Sequence, residues 1–78
     1  MMTFNCELTD TFGSEANYSW MERHQFQISE NATRLQIVRH AKRLLGLTGT
    51  RCRTTDLGDL IELKPQGLNM VAFISIEY

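Results

Sequence analysis

Five basic side chains in one stretch are the residues best placed to do chemistry: Arg39, Lys42, Arg43, Arg51 and Arg53. Arg39 and Arg43 are four apart, the spacing of neighbours on one helix face, and a guanidinium fork meets carboxylate or phosphate oxygens through two parallel hydrogen bonds. The charge is segregated. Residues 1–30 hold five acids against one arginine, residues 31–53 hold six bases and no acid, and residues 54–78 hold four acids against one lysine. The net charge of −1 therefore hides a polarised chain. Either these bases pair with acids elsewhere in the fold and keep a helix soluble, or they offer an anion-binding face to nucleic acid or to an acidic protein surface. The excess of acid over base in the whole chain argues against a dedicated nucleic-acid binder, whose domain is usually basic.

Other combinations point to chemistry less directly. Tyr18, Trp20, Arg23, His24 and Phe26 put aromatic beside basic groups, as on surfaces that stack single-stranded bases, but no RNP-type motif accompanies them and such rings more simply form core. Cys6, Cys52, His24 and His40 are the raw material for catalysis, yet no base or oxyanion motif stands near them. The histidines share no metal-ligand spacing with each other or with a cysteine, and Asp56, Asp59 and Glu62 lack the DxDxDG pattern of a calcium loop. Arg51 and Arg53 would lower the thiol pKa of an exposed Cys52, whereas strand alternation would bury it between them. We expect a non-enzymatic protein with no catalytic residue, metal or cofactor, and two reduced cysteines.

The elements that position these groups follow from pattern. Met2 to Leu8 alternates as a half-buried strand, Thr9 to Ser14 supplies turn residues, and Ala16 to Ile28 reads as one long strand bent or bulged near Met21 to His24. Together they predict a hairpin. Ser29 or Asn31 is the expected N-cap of a helix whose Ile37, Val38, Ala41, Leu44 and Leu45 form a core-facing stripe. Gln36, Arg39 and Arg43 lie on the opposite arc, with His40 and Lys42 at its edges and His40 facing solvent. Gly46 followed by Leu47 marks the helix stop. Arg51 to Thr55 is a strand or a connection, Asp56 to Asp59 a turn, Leu60 to Lys64 a strand and Pro65-Gln66-Gly67 a turn. Asn69 to Glu77 is the last strand, apolar on both sides and so central.

This order, ββαβββ or ββαββ, predicts a single α+β domain: a two-layer sandwich of one helix on a four- or five-stranded, mainly antiparallel sheet. No second helix covers the other face. Val71 and Phe73 pointing there with an aromatic of the second strand would leave a large apolar patch, which predicts a homodimer through that face or a sheet that curls closed. MMTFNCELTD has no signal-peptide pattern and no stretch is long and apolar enough to span a membrane, so a cytoplasmic setting is expected.

The sequence TFGSEANYSW, a helix ending AKRLLGLTGTR, and GDLIELKPQG before a final apolar strand resembles small proteins of uncharacterised function encoded in bacterial genomes and on phages or plasmids. The resemblance implies a bacterial cytoplasmic setting and a mobile-element origin, and assigns no residue a role. The functional expectation is a binding module for an unknown protein partner, with Arg39, Lys42, Arg43, Arg51 and Arg53 as the contact residues; the alternative is an accessory nucleic-acid-binding protein.

Overall fold

A computed structural model describes residues 1–77 of the chain. Strands β1 (Met2–Phe12) and β2 (Glu15–Ile28) precede helix α1 (Arg34–Leu44), and strands β3 (Cys52–Asp56), β4 (Leu60–Pro65) and β5 (Met70–Glu77) follow it. The strands lie in the order β2-β1-β5-β4-β3, with every neighbouring pair antiparallel. The fold is α+β, one helix against a five-stranded sheet, and Cys52–Asp56 is a strand because it pairs with β4 from Cys52↔Pro65 to Asp56↔Ile61. β5, apolar in both directions, takes the centre.

Register sorts the side chains between two faces. Phe4, Cys6 and Leu8 align with Ile76, Ile74 and Ala72 of β5, and Ile61 and Leu63 of β4 align with Ile74 and Ala72. The helix covers this face with Ile37 and Ala41, and the segment after it adds Leu45 and Leu47; all four are buried. Val38 and Leu44 pack at the margin. Ala41 has 0% exposure, so its small side chain sets the close approach of helix to sheet.

The helix stop forms as its sequence predicts. Gly46 takes φ +72°, Leu47 N–H donates to the Lys42 carbonyl (2.8 Å), and Gly46 N–H donates to that of Arg43 (3.4 Å). These are the two bonds of a Schellman motif, and the buried Leu47 adds its hydrophobic contact. The start lies later than expected. Thr33, not Ser29 or Asn31, is the N-cap: its hydroxyl accepts from Gln36 N–H while the Gln36 side chain accepts from Thr33 N–H, a reciprocal capping box. Ser29 instead closes the preceding turn, its hydroxyl accepting from Asn31 N–H (3.2 Å).

The hairpin also departs from expectation. β1 runs on to Phe12, and the turn is only Gly13-Ser14, both at positive φ as in a type I′ turn. The irregularity of β2 falls at Asn17–Trp20 rather than Met21–His24, since Thr9 pairs with Met21 and Thr11 with Ala16. Four residues therefore lie opposite Asp10 alone. The Asp10 carboxylate gathers them, accepting from Ser19 N–H (3.0 Å), the Ser19 hydroxyl and the Asn17 amide (2.9 Å). The buried Thr9 hydroxyl accepts from Tyr18 N–H (3.1 Å) and donates to the Trp20 carbonyl (2.8 Å).

Candidate functional site

Of the five expected contact residues, Arg39 and Arg43 line one depression and Lys42, Arg51 and Arg53 do not. Arg39 and Arg43 are exposed and border a depression of about 510 Å³ between the helix and the β2–α1 connection. Ser29 and Asn31 supply its far wall, Gln36 and His40 stand beside the arginines, and no carboxylate lines it. Lys42 turns to the other side of the helix, where its ammonium donates to the Thr50 carbonyl (2.6 Å). Arg51 and Arg53 belong to the β3 edge. Cys52 packs against the core between them, so Arg53 projects from the face away from the helix.

Pairing separates these arginines from the others. Arg34 Nε lies 3.1 Å from Asp56 Oδ2, and Arg23 Nε 3.4 Å from Glu7 Oε2. Among the described residues Arg39, Arg43, Arg51 and Arg53 have no ion pair. The acids that could have neutralised them are used elsewhere: Asp56 also accepts from Gly58 N–H (2.9 Å), Glu62 lies 3.8 Å from Lys64 Nζ, and Glu30 meets the Met1 ammonium. Asp56 thus shapes a turn and holds the helix start.

His40 is not simply solvent-facing. Its ring stacks on Phe26 with centroids 4.4 Å apart, and Phe26 stacks in turn on Phe4 at 5.6 Å. His24 Nε2 lies 2.7 Å from Glu22 Oε2. Cys6 is buried, and burial pushes its thiol up to about 11 despite a hydrogen bond from the His24 backbone. The Cys52 thiol donates to the Thr50 carbonyl (3.6 Å). The alternation reading of Cys52 therefore describes its place.

A second concavity was invisible in the sequence. On the sheet face away from the helix, Asn5 and Glu7 of β1, Arg23 and Gln25 of β2, and Phe73 and Ser75 of β5 surround a hollow of about 710 Å³. Leu60 closes one side and Tyr18 another. Tyr18, at φ +56°, is held by the bulge so that its hydroxyl donates to Glu7 Oε1 (3.3 Å). Partial desolvation and the Glu7 charge both raise the Tyr18 pKa. Val71 faces the same way but is 2% exposed, beside Thr9 over which the bulge closes, and Phe73 is half-buried. The bare apolar patch expected there is thereby reduced to a hollow with polar walls.

Among the described residues no helix is long and apolar enough to cross a membrane. Comparison with protein-family models, curated proteins and solved structures finds no match.

Proposed function

We propose that the protein is a non-enzymatic binding module that receives an anionic group of a macromolecular partner on the flank of α1 formed by Arg39 and Arg43. One observation carries this reading: two exposed guanidinium groups one turn apart border an acid-free depression and have no ion pair among the described residues, while Arg23 and Arg34 each meet a carboxylate. An unpaired fork keeps its full capacity for bidentate contact with an incoming oxyanion. Ser29, Asn31 and Gln36 add neutral donors at the rim.

A protein partner with a local acidic patch fits this arrangement better than a nucleic-acid backbone. A backbone needs a track of cations, and here Lys42 is tied to Thr50 while Arg51 and Arg53 sit at the β3 edge. The test is recovery of partners from the native host with the wild-type protein and an Arg39→Glu/Arg43→Glu variant, alongside titration with single-stranded RNA and duplex DNA at two salt concentrations. The expected result is a partner recovered by the wild type alone and weak, salt-sensitive binding of nucleic acid. Equal recovery by both proteins overturns the proposal, and steeply salt-dependent nucleic-acid binding that needs Arg51 and Arg53 as well favours the nucleic-acid alternative.

A further inference from the structure

We infer that the outer edge of β3 is a dimerisation strip, which pairs antiparallel with β3 of a second copy about a two-fold axis at Thr54. β3 ends the sheet, and the phase of its bonding to β4 is fixed at both ends. Leu57 N–H donates to the Leu60 carbonyl and Gln66 N–H to the Arg51 carbonyl, both at 2.8 Å, in one register with Cys52↔Pro65 and Asp56↔Ile61. Bonded and non-bonded positions alternate in an antiparallel pair, so Arg53 and Thr55 bond inward while Cys52, Thr54 and Asp56 turn their N–H and C=O groups outward. Pro65, opposite Cys52, fits this phase because it has no N–H to give. Among the described residues the outward groups have no hydrogen-bond partner, and Arg53 to Asp56 are exposed. β3 has no Pro, Lys or bulge of the kind that guards an edge, whereas the other edge, β2, is interrupted at residues 17–20.

Symmetry and charge select the register, and with it the occupant. With Thr54 on the axis, Thr54 faces the partner's Thr54 and Cys52 faces the partner's Asp56, so every outward group finds a mate. An axis at Arg53 would set two guanidinium groups face to face, and an axis at Thr55 would carry Cys52 past the end of the partner's strand. Arg53 lies on the face away from the helix, beside Lys64, and has no ion pair among the described residues. In the Thr54 register it stands opposite the partner's Thr55, which aligns with the partner's Glu62. Two strand spacings, about 10 Å between backbones, are bridged by an Arg and a Glu side chain extended toward each other. Glu62 can take this second cation, since Lys64 Nζ is a loose 3.8 Å away. Any extended peptide could satisfy the backbone groups, but a second copy of this chain also brings an acid to the place that Arg53 reaches. The expected homodimer contact thereby moves from the face of the sheet to its edge.

A strip of 5 residues buries less than a standard interface of about 1,600 Å², so the dimer forms at high concentration. The experiment is sedimentation equilibrium of the intact protein from about 10 µM to about 1 mM, with amide hydrogen exchange at both limits. A monomer–dimer equilibrium is expected, with exchange at Cys52, Thr54 and Asp56 slower in the concentrated sample. Arg53→Glu sets a like charge against the partner's Glu62 twice per dimer and should raise Kd at least about tenfold, and adding Glu62→Arg should restore it to within about threefold. Thr54→Pro removes an N–H that β4 does not use, so the amide spectrum of the other strands should persist while the dimer is lost. Arg23→Glu, by the other edge, should change Kd less than about twofold. A monomer throughout the range, a Kd indifferent to Arg53→Glu, no restoration by the charge exchange, or an equal effect of Arg23→Glu each overturns the proposal. A protein that stays monomeric and has its β3 amides protected only on addition of an acidic peptide such as hexaglutamate would assign the edge to another chain, and overturn it too.

Discussion

The two concave regions are built from opposite ingredients. The helix flank sets two arginines with no ion pair among the described residues on a regular helix whose charge pattern is local, so its chemistry survives as long as the helix docks. The hollow on the open sheet face is lined by Arg23, which is paired, and Glu7, which is doubly engaged, and it has a wall that exists because Asp10 and Thr9 fold residues 17–20 over the strand. One surface depends on a secondary-structure element and the other on an interruption of one. Substitutions that affect each support separately will break or sharpen that contrast.

The largest effect should come from Ile37→Ala. Ile37 is 4% exposed and anchors the helix in the core, so its truncation should cost about 2–5 kcal/mol, read as a lower midpoint in urea unfolding. The helix-flank site should weaken with it, while in conditions where the variant stays folded the amide signals of Glu7 and Tyr18, joined across the open face, hold still. Changes at both faces together would mean that they are not separately supported. Thr9→Val should come next. It leaves the Tyr18 N–H and the Trp20 carbonyl without the partner they share, for a cost of about 1–3 kcal/mol, and frees the Tyr18 wall. The Tyr18 and Glu7 amide signals should move and those of Arg39 and Arg43 should not.

That contrast also explains which features were legible in the sequence. The helix stop was, because a Schellman cap needs only Gly46, Leu47 and the turn before them. The start was ambiguous because Ser29, Asn31 and Thr33 are all good caps, and Gln36, three residues after Thr33, decides among them by completing the capping box. The helix flank was readable for the same local reason. The open face was not. Counting back by twos from Phe26 puts Tyr18 on the helix side of the sheet, but four residues opposite one change that count, and Tyr18 emerges on the other side. The cause is Asp10, on another strand and nine residues from Ser19, beyond the reach of any period-two pattern. The place of His40 was hidden for a similar reason, since its aromatic partner, Phe26, comes from β2.

Charge substitutions should move binding without moving the fold. Arg39→Gln and Arg43→Gln remove exposed groups with no ion pair among the described residues, so stability should stay within about 0.5 kcal/mol while partner binding falls by about tenfold each. Arg34→Gln is the converse: it should leave binding intact and lose up to about 1 kcal/mol, the ordinary worth of an exposed ion pair. Urea midpoints measured beside affinity for the recovered partner give both values. A pattern in which Arg34→Gln cost binding and the other two cost stability would reverse the assignment of structural and functional arginines.

The smallest effect tests the interruption through acidity. Hydrogen bonds from the Ser19 hydroxyl, chiefly, and from the Asn17 amide lower the Asp10 pKa from an ordinary 3.8 to about 2. A carboxylate whose folded pKa is depressed stabilises the folded state fully above its unfolded pKa, and that contribution is lost as pH falls through the folded value. The window here runs from about pH 4 down to about pH 2. Urea midpoints of the wild type should therefore drop more steeply across it than those of Asp10→Asn, which cannot lose a charge there. The Tyr18 and Ser19 amide signals should shift over the same interval while those of Arg39 and Arg43 hold still. Parallel pH profiles for wild type and variant would mean that Asp10 does not hold the bulge, and with it the contrast between a surface carried by an element and a surface carried by its interruption would lose its basis.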